Sequence, residues 1–516
     1  PTALADQILA VDVGDKIVIQ NPPVWVAPDD VELIVQGYEE TWTSQYTWDI
    51  TFNCTPGNPW TVGVTNDPVL GRADTDGSKL VVGVDADDTT LLVRTTAGLP
   101  WVTDVAELPF DIRVGGEVME VEPAGTVLTA NPSFETSTSG WTTTAGTLTR
   151  SNSVRRVGSW SGLLTTGAGS NPRVSDALRA VTTGSTYAAM GWLYAPTALP
   201  SVAGINVNWF DASQVYLSTS SNTATLKPGV WTPFLALFTA PVGAAYGSVL
   251  ATVSGTPGAG YLLHLDNVKL IGGTSGITSW LKDAFARTVA NGWGSPDTGS
   301  AWTTAGGSAS DYAVGSGYGT ATLSTVDASR RTSVTAASPD FDLYCDITTS
   351  ALATGDSLYG AVTGRMLDSS NMYMLRVEFT TSNTIVVTLR RMVADVQTQL
   401  GTYTLPVAHV AGTFIRVRWQ ADGTALRAKA WPVAAFEPGP WQIDTTDSAI
   451  TAANSLGTRS IRVTGNTNAA SVAVRYDNFE VVNPQTFPVS RSVNGVVKAH
   501  TAGTPVNLAQ PSVIAL

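Results

Sequence analysis

Few residues in this chain could do chemistry, and their spacing limits which chemistry is open to them. The three histidines, His264, His409 and His500, lie in distant stretches, so a shared Ser-His-Asp site is not expected. None belongs to a His-Glu-x-x-His pair. Asp342-Leu343-Tyr344-Cys345-Asp346 places two carboxylates on one strand face. Glycosidic hydrolysis needs its carboxyls roughly 5–9.5 Å apart, whereas four residues of unbulged strand separate them by about 13 Å. That face is expected to be solvated, and the chain is expected not to be an enzyme. Cys54 and Cys345 have no zinc spacing and read as small buried thiols in different domains.

Saccharide recognition suits the remaining side chains better. A flat apolar sugar face stacks on Trp or Tyr, while amides take the hydroxyls. In Met190-Gly191-Trp192-Leu193-Tyr194, strand alternation aligns Trp192 with Tyr194. In Asn206-Val207-Asn208-Trp209-Phe210, Asn206 and Asn208 point away from Trp209. One of these faces lines a concave sheet, and the sequence does not say which. The candidate carbohydrate-binding residues are Trp192, Tyr194, Asn208 and Trp209, with core packing as the alternative for each ring.

Strands must position these groups. The 516 residues exceed one core. Only 14% are charged, and short alternating runs broken by Gly, Pro, Asn and Asp recur throughout, a pattern of all-β sandwiches. The net charge of −13 opposes nucleic-acid binding, and Arg155-Arg156, Arg330-Arg331 and Arg390-Arg391 read as isolated pairs rather than a basic stripe. No apolar run reaches the ~20 residues that span a bilayer, so no membrane insertion is expected, and no signal peptide is recognisable.

Around Gly115-Gly116, apolar residues alternate with polar ones from Pro109 to Pro123, which marks a tight hairpin. A lone hairpin is barely stable. Its missing strands are expected from Phe487–Val493, Val496-Val497 and Pro505–Ala509. This reading gives a small split β domain, residues 78–126 and 484–516, opened to hold everything between. Before it, residues 1–77 form a β unit in which Trp48, Ile50, Phe52 and Cys54 share one face. The inserted modules span 127–272 and 273–483, joined by a Gly/Ser/Thr linker at Gly272–Trp280. Each has an early Phe, a Gly-Trp soon after, and a closing Asp-Asn strand: Phe134, Trp141 and Asp266-Asn267 in the first, Phe285, Trp293 and Asp477-Asn478 in the second.

Pro109 to Glu122, resumed by Gln485-Thr486-Phe487 and Arg491–Lys498, resembles the C-terminal part of minor tail proteins of tailed phages that infect actinobacteria. The first 77 residues look like the closing β domain of a tail hub or tip protein, which attaches to a trimeric assembly. The first module is similar to jelly-roll carbohydrate-binding modules, the second to the concanavalin or laminin-G type. The resemblance implies an all-β, multidomain architecture: a hub-like β domain plus a small split β domain carrying two inserted jelly-roll β-sandwiches. It also implies structural Ca²⁺ held by Asn131, Glu135 and Asp266 in the first module and by Asp283 and Asp477 in the second. The alternative is a hydrogen-bonded turn capped by Asp. The implied role is adhesion of a virion tail tip to host cell-envelope polysaccharide, as a homotrimer among other phage tail-tip proteins. The rival readings are a targeting region of a secreted polysaccharide-degrading enzyme and a ligand-free structural spacer.

Overall fold

The computed structural model describes residues 8, 10–19, 31–44, 47–57, 64, 71–452 and 454–512. Pro1 and the other residues of the 1–77 unit not named in these ranges lie outside them. The chain is all-β, with antiparallel strands throughout and single 3-10 turns at Val105–Glu107 and Ala309–Asp311. Among the described residues, no helix is long and apolar enough to cross a membrane. Two compact units result. The first comprises Pro1–Leu91, Trp101–Ile277 and Phe487–Leu516; the second comprises Leu92–Pro100 and Thr278–Thr486.

The first unit opens with a three-stranded ribbon, Lys16–Ile19, Val31–Ser44 and Thr47–Pro56. Trp48, Ile50, Phe52 and Cys54 alternate with exposed residues, as expected. They are only half-buried, and Trp42, stacked on Trp48 at 5.7 Å, is 69% exposed.

In the small domain, Phe110–Val114 and Glu117–Val121 form the expected hairpin. Gly115 and Gly116 turn with φ of 51° and 93°, a conformation only glycine adopts readily. Val506–Leu508 adds itself beside Phe110–Val114, and Val489-Ser490 pairs with Glu120-Val121. Trp101 stacks on Phe110 at 5.7 Å, with Phe487 edge-on at 5.5 Å, so both sequence fragments supply the same core.

The first sandwich has two sheets. One runs Gly146–Ser151, Ser161–Thr166, Leu262–Ser275, Thr186–Tyr194, Thr232–Thr239. The other runs Tyr216–Ala224, Ala203–Phe210, Tyr246–Val253, Arg173–Asp176, Trp141–Thr144. Between them lie Phe134, Leu164, Leu193, Ile205, Val207, Trp209, Val249 and Leu265. The expected linker at Gly272–Trp280 is instead mostly strand, because Leu262–Ser275 continues through it and Thr278–Asp283 begins the next module.

The second unit is also a two-sheet sandwich. Its seven-stranded sheet runs Thr303–Ala305, Arg330–Thr335, Ser455–Arg462, Leu358–Gly364, Met372–Phe379, Thr384–Val393, Val396–Ala408. Leu92–Pro100, expected in the split domain, belongs here. Arg94 bonds Asp340 and Asp422 at 2.5 Å each, and Thr95 N–H donates to Asn483 at 3.1 Å.

Candidate functional site

Alternation along Ala203–Phe210 decides which face is available. Ile205, Val207 and Trp209 are fully buried in the sandwich core, so Asn206, Asn208 and Phe210 face outward. Strand register then builds rows across that outer surface. Asn208 lies between Thr219 and Ser248, Asn206 between Ser221 and Leu250, and Gly204 between Thr223 and Thr252. Arg173 continues the last row beyond Thr252.

The result is a cleft of ≈ 700 Å³ whose floor is amide, hydroxyl and one guanidinium. At one end Phe210 and Tyr216 meet edge-to-face at 6.0 Å, and Tyr216 is 54% exposed. A relay orients the floor: the Thr219 hydroxyl donates to Asn208 Oδ1 at 2.6 Å, and Tyr216 OH lies 2.9 Å from Thr219 Oγ1. Asn206 Oδ1 accepts the Asn222 N–H at 3.0 Å, which fixes its amide. Among the described residues, no carboxylate lines this cleft. The surface offers donors and acceptors beside an aromatic edge.

Of the four residues expected to bind sugar, Asn208 alone lies here. Trp209 is a correction: it is fully buried and donates its Nε1–H to Ser220 at 2.9 Å, so it offers no ring to a ligand. Trp192 is another. It lies on the other sheet, 4% exposed, with the Arg156 guanidinium 4.0 Å from its ring centroid. Tyr194 is half-buried against Trp231 at 5.4 Å and His264 at 5.7 Å, away from the cleft. Burial pushes the His264 imidazole down to about 4. Tyr216, Phe210, Arg173 and Asn206 complete the site, and only Asn206 and Phe210 sat in a stretch the sequence singled out.

The expected calcium ligands take two forms. In the first sandwich, Glu135 and Asp266 both grip the loop Arg156–Trp160. Glu135 accepts the Ser159 and Trp160 N–H groups at 3.0 Å each, and Asp266 accepts those of Arg156 and Val157 at 2.8 and 3.0 Å. Burial pushes the Asp266 carboxyl up to about 8, with nearby Glu135 adding to the shift against the amide donors. Asn131 donates from its side chain to the Ser137 carbonyl at 2.5 Å. In the second sandwich Asp283 is a correction. It holds Arg287 through two bonds at 2.6 and 2.8 Å and accepts from Trp302 Nε1 at 2.6 Å, so a guanidinium occupies the place of a cation. Asp477 accepts the Asn478 N–H at 2.7 Å, and burial pushes it up to about 6. No group of three or more His, Cys, Asp or Glu converges among the described residues.

Asp342 and Asp346, expected on a solvated face, are buried, at 5% and 2% exposed. Each is held by two bonds, to Arg418 and Arg416 respectively. Carboxylates neutralised in this way are structural.

No family model and no curated protein matches the chain. Among solved structures, the carbohydrate binding module CBM66 from Bacillus subtilis is 16% identical, with a TM-score of 0.25, over 34% of this chain and 92% of that one. The tandem CBM22 domain from Paenibacillus barcinonensis Xyn10C is 12% identical, with a TM-score of 0.26, over 71% and 98%. The enzymatically active domain of bacteriophage CBA120 tailspike protein 4 is 17% identical, with a TM-score of 0.24, over 28% and 21%.

Proposed function

We propose that this protein is a non-catalytic, carbohydrate-binding adhesin, and that the outer face of Ala203–Phe210 and its neighbouring strands is where it takes a polysaccharide. The observation that carries this reading is the cleft itself: a polar floor of Asn206, Asn208, Thr219, Ser221 and Arg173, closed at one end by Phe210 and Tyr216. Hydroxyl-rich chains match such a floor, and the aromatic end supplies a stacking edge. Affinity electrophoresis of the full chain against envelope polysaccharides tests it. Tyr216→Ala and Asn208→Ala are each expected to weaken retention by roughly tenfold, the effect of about 1.4 kcal/mol, with unchanged melting. Wild-type retention by both variants would place the ligand elsewhere. Release of reducing sugar by the purified chain would overturn the non-catalytic assignment.

The wider setting is a phage tail tip, supported by the resemblance of the hairpin Pro109–Glu122 and of Arg491–Lys498 to minor tail proteins. On this reading the N-terminal ribbon, with Trp42 exposed on Trp48, is the attachment element of a homotrimer. Multiplying shallow sites on one assembly raises avidity by roughly 10²–10⁴. Sedimentation of the full chain checks this, and a monomer at micromolar concentration counts against it.

Calcium belongs to the same proposal for the first sandwich. Two carboxylates, Glu135 and Asp266, cap one loop, and the charge of Glu135 adds to the upward shift of Asp266. Calcium bound only to the folded state raises the melting temperature. Chelation is expected to lower the first unit's transition, and Asp266→Ala to remove that response. Identical melting with calcium and with chelator dismisses the ion.

A further inference from the structure

Arginines that are scattered in the sequence converge on one sheet face of the second sandwich. In the seven-stranded sheet, Leu358, Val362, Leu375, Val377, Val387 and Leu456 point into the core, so their neighbours point outward. Strand register sets Arg331 opposite Arg459, Arg459 opposite Ala361, Ala361 opposite Arg376, and Arg376 opposite Thr388. In the adjacent row Thr363 faces Met374, and Met374 faces Arg390. Four guanidinium groups thus surround a floor of Ala361, Thr363 and Met374. Arg459 reaches Met374 Sδ at 3.6 Å, and the Arg376 guanidinium lies 4.7 Å from the Tyr359 ring centroid. This corrects the expectation that Arg330-Arg331 and Arg390-Arg391 are isolated pairs.

The grouping is poorly neutralised from within. Glu378 lies 3.5 Å from Arg376 and also serves Ser357 and Tyr359, while Asp395 offsets Arg459 electrostatically. Like charges directly opposite across strands are destabilising. Burial lowers the pKa of Arg376, with Arg390 adding, and that of Arg459, with Arg331 adding. Among the described residues, the buried Nε of Arg376, Arg390 and Arg459 and the hydroxyls of Thr363 and Thr388 have no hydrogen-bond partner. Thr363 is 0% and Thr388 3% exposed. Buried polar groups are ordinarily paired, and a cationic face that the chain itself leaves short of partners matches an anionic ligand at the outer ends of its guanidinium groups.

We propose that this face is a second binding site, for an anionic polysaccharide whose carboxylates or phosphodiesters pair with Arg376, Arg390 and Arg459. The inference is independent of the cleft on the first sandwich. Arg459 and Arg376 sit two strands apart, a span of about 10 Å, comparable to a disaccharide repeat. Guanidinium forks bind carboxylate and phosphate through paired N–H bonds. Thr402 and Gln399, in register with Thr388 and Arg390 and exposed, extend the surface toward sugar hydroxyls. A nucleic acid is disfavoured because the Tyr359 ring lies beneath a guanidinium rather than open to a base.

The test uses the full chain in affinity gels at low salt, with polygalacturonate, poly(glycerol phosphate), neutral dextran or oligodeoxythymidylate as the probe. Retention by polygalacturonate or poly(glycerol phosphate) is expected, and the one that retains more identifies the anionic group. The double variant Arg376→Gln, Arg390→Gln is expected to lose at least tenfold in that retention, and Arg390→Lys, which keeps the charge but not the fork, to lose less than the double variant. The melting temperature of the double Gln variant is expected to stay level or rise, because like-charge crowding is relieved, which separates a lost site from a lost fold. Dextran retention reads neutral-sugar binding and should be unchanged by either substitution. Failure of both anionic polymers, wild-type retention by the double variant, or equal retention by oligodeoxythymidylate would each overturn the proposal.

Discussion

Asn494 stands 378 positions from Gly116 in sequence and donates to its carbonyl at 3.0 Å, while accepting the Val118 N–H at 3.1 Å. The side chain is fully buried. Asn494→Ala leaves two backbone groups without partners and is expected to cost about 2–4 kcal/mol, read as a lower urea midpoint of the first unit. Glu120 makes a different prediction. Complete burial pushes its carboxyl up to about 7, against the pull of Arg156 and with Glu122 adding to the rise. The folded chain therefore keeps a proton that the unfolded chain releases near 4.5. This contribution to stability is full below that pH, declines as pH rises toward about 7, and is lost above it. Glu120→Gln is expected to flatten that slope, and unfolding midpoints across the range check it. Neither residue could be assigned from sequence, because both act through partners far away in the chain.

Within the first sandwich, Gly204 sets how closely the edge strand Tyr216–Ala224 approaches. A Cβ there would stand 2.1 Å from the Asn222 carbonyl oxygen. Gly204→Ala must push that strand outward, carrying Tyr216 and Thr219 with it. The expected outcome is a loss of about 1–3 kcal/mol together with weaker saccharide retention, measured on one preparation by melting and affinity gels. The strand Ala203–Phe210 also marks the limit of sequence reading. Its period of two was legible, and so was the division between Asn206-Asn208 and Trp209. Which face turned outward was not, because Trp is both a large core residue and a good sugar platform. The clue lay in the partners: Ile205 and Val207 share the face of Trp209 and have no business in water. The hairpin at Gly115-Gly116 was fully legible, since its turn chemistry is local. Asp283 was misread although Arg287 stood four residues on, because the sequence does not reveal that a short ion pair closes there.

At the scale of the molecule, two compact units predict two calorimetric transitions. Trp293 is fully buried against Phe285, Trp302 and Tyr476 in the second unit. Trp293→Ala is expected to cost about 3–5 kcal/mol and to lower one transition while the other holds; a joint shift would mean the units unfold as one. The small split domain carries a further consequence, one of timing. Its hairpin emerges from the ribosome early, yet Asn494, which secures it, follows Val118 by 376 positions. At about 5–20 residues per second, the hairpin waits roughly 20–75 s for its partners. Until Val506–Leu508 arrives, the strand Phe110–Val114 presents a bare edge. Closure of this domain thus waits for the segment that follows both sandwiches. A nascent chain halted inside either sandwich keeps an open, protease-accessible edge at Phe110–Val114, which Val506–Leu508 seals once it is made. Limited proteolysis of chains stopped before Phe487 should cut at that hairpin and spare it in the full protein.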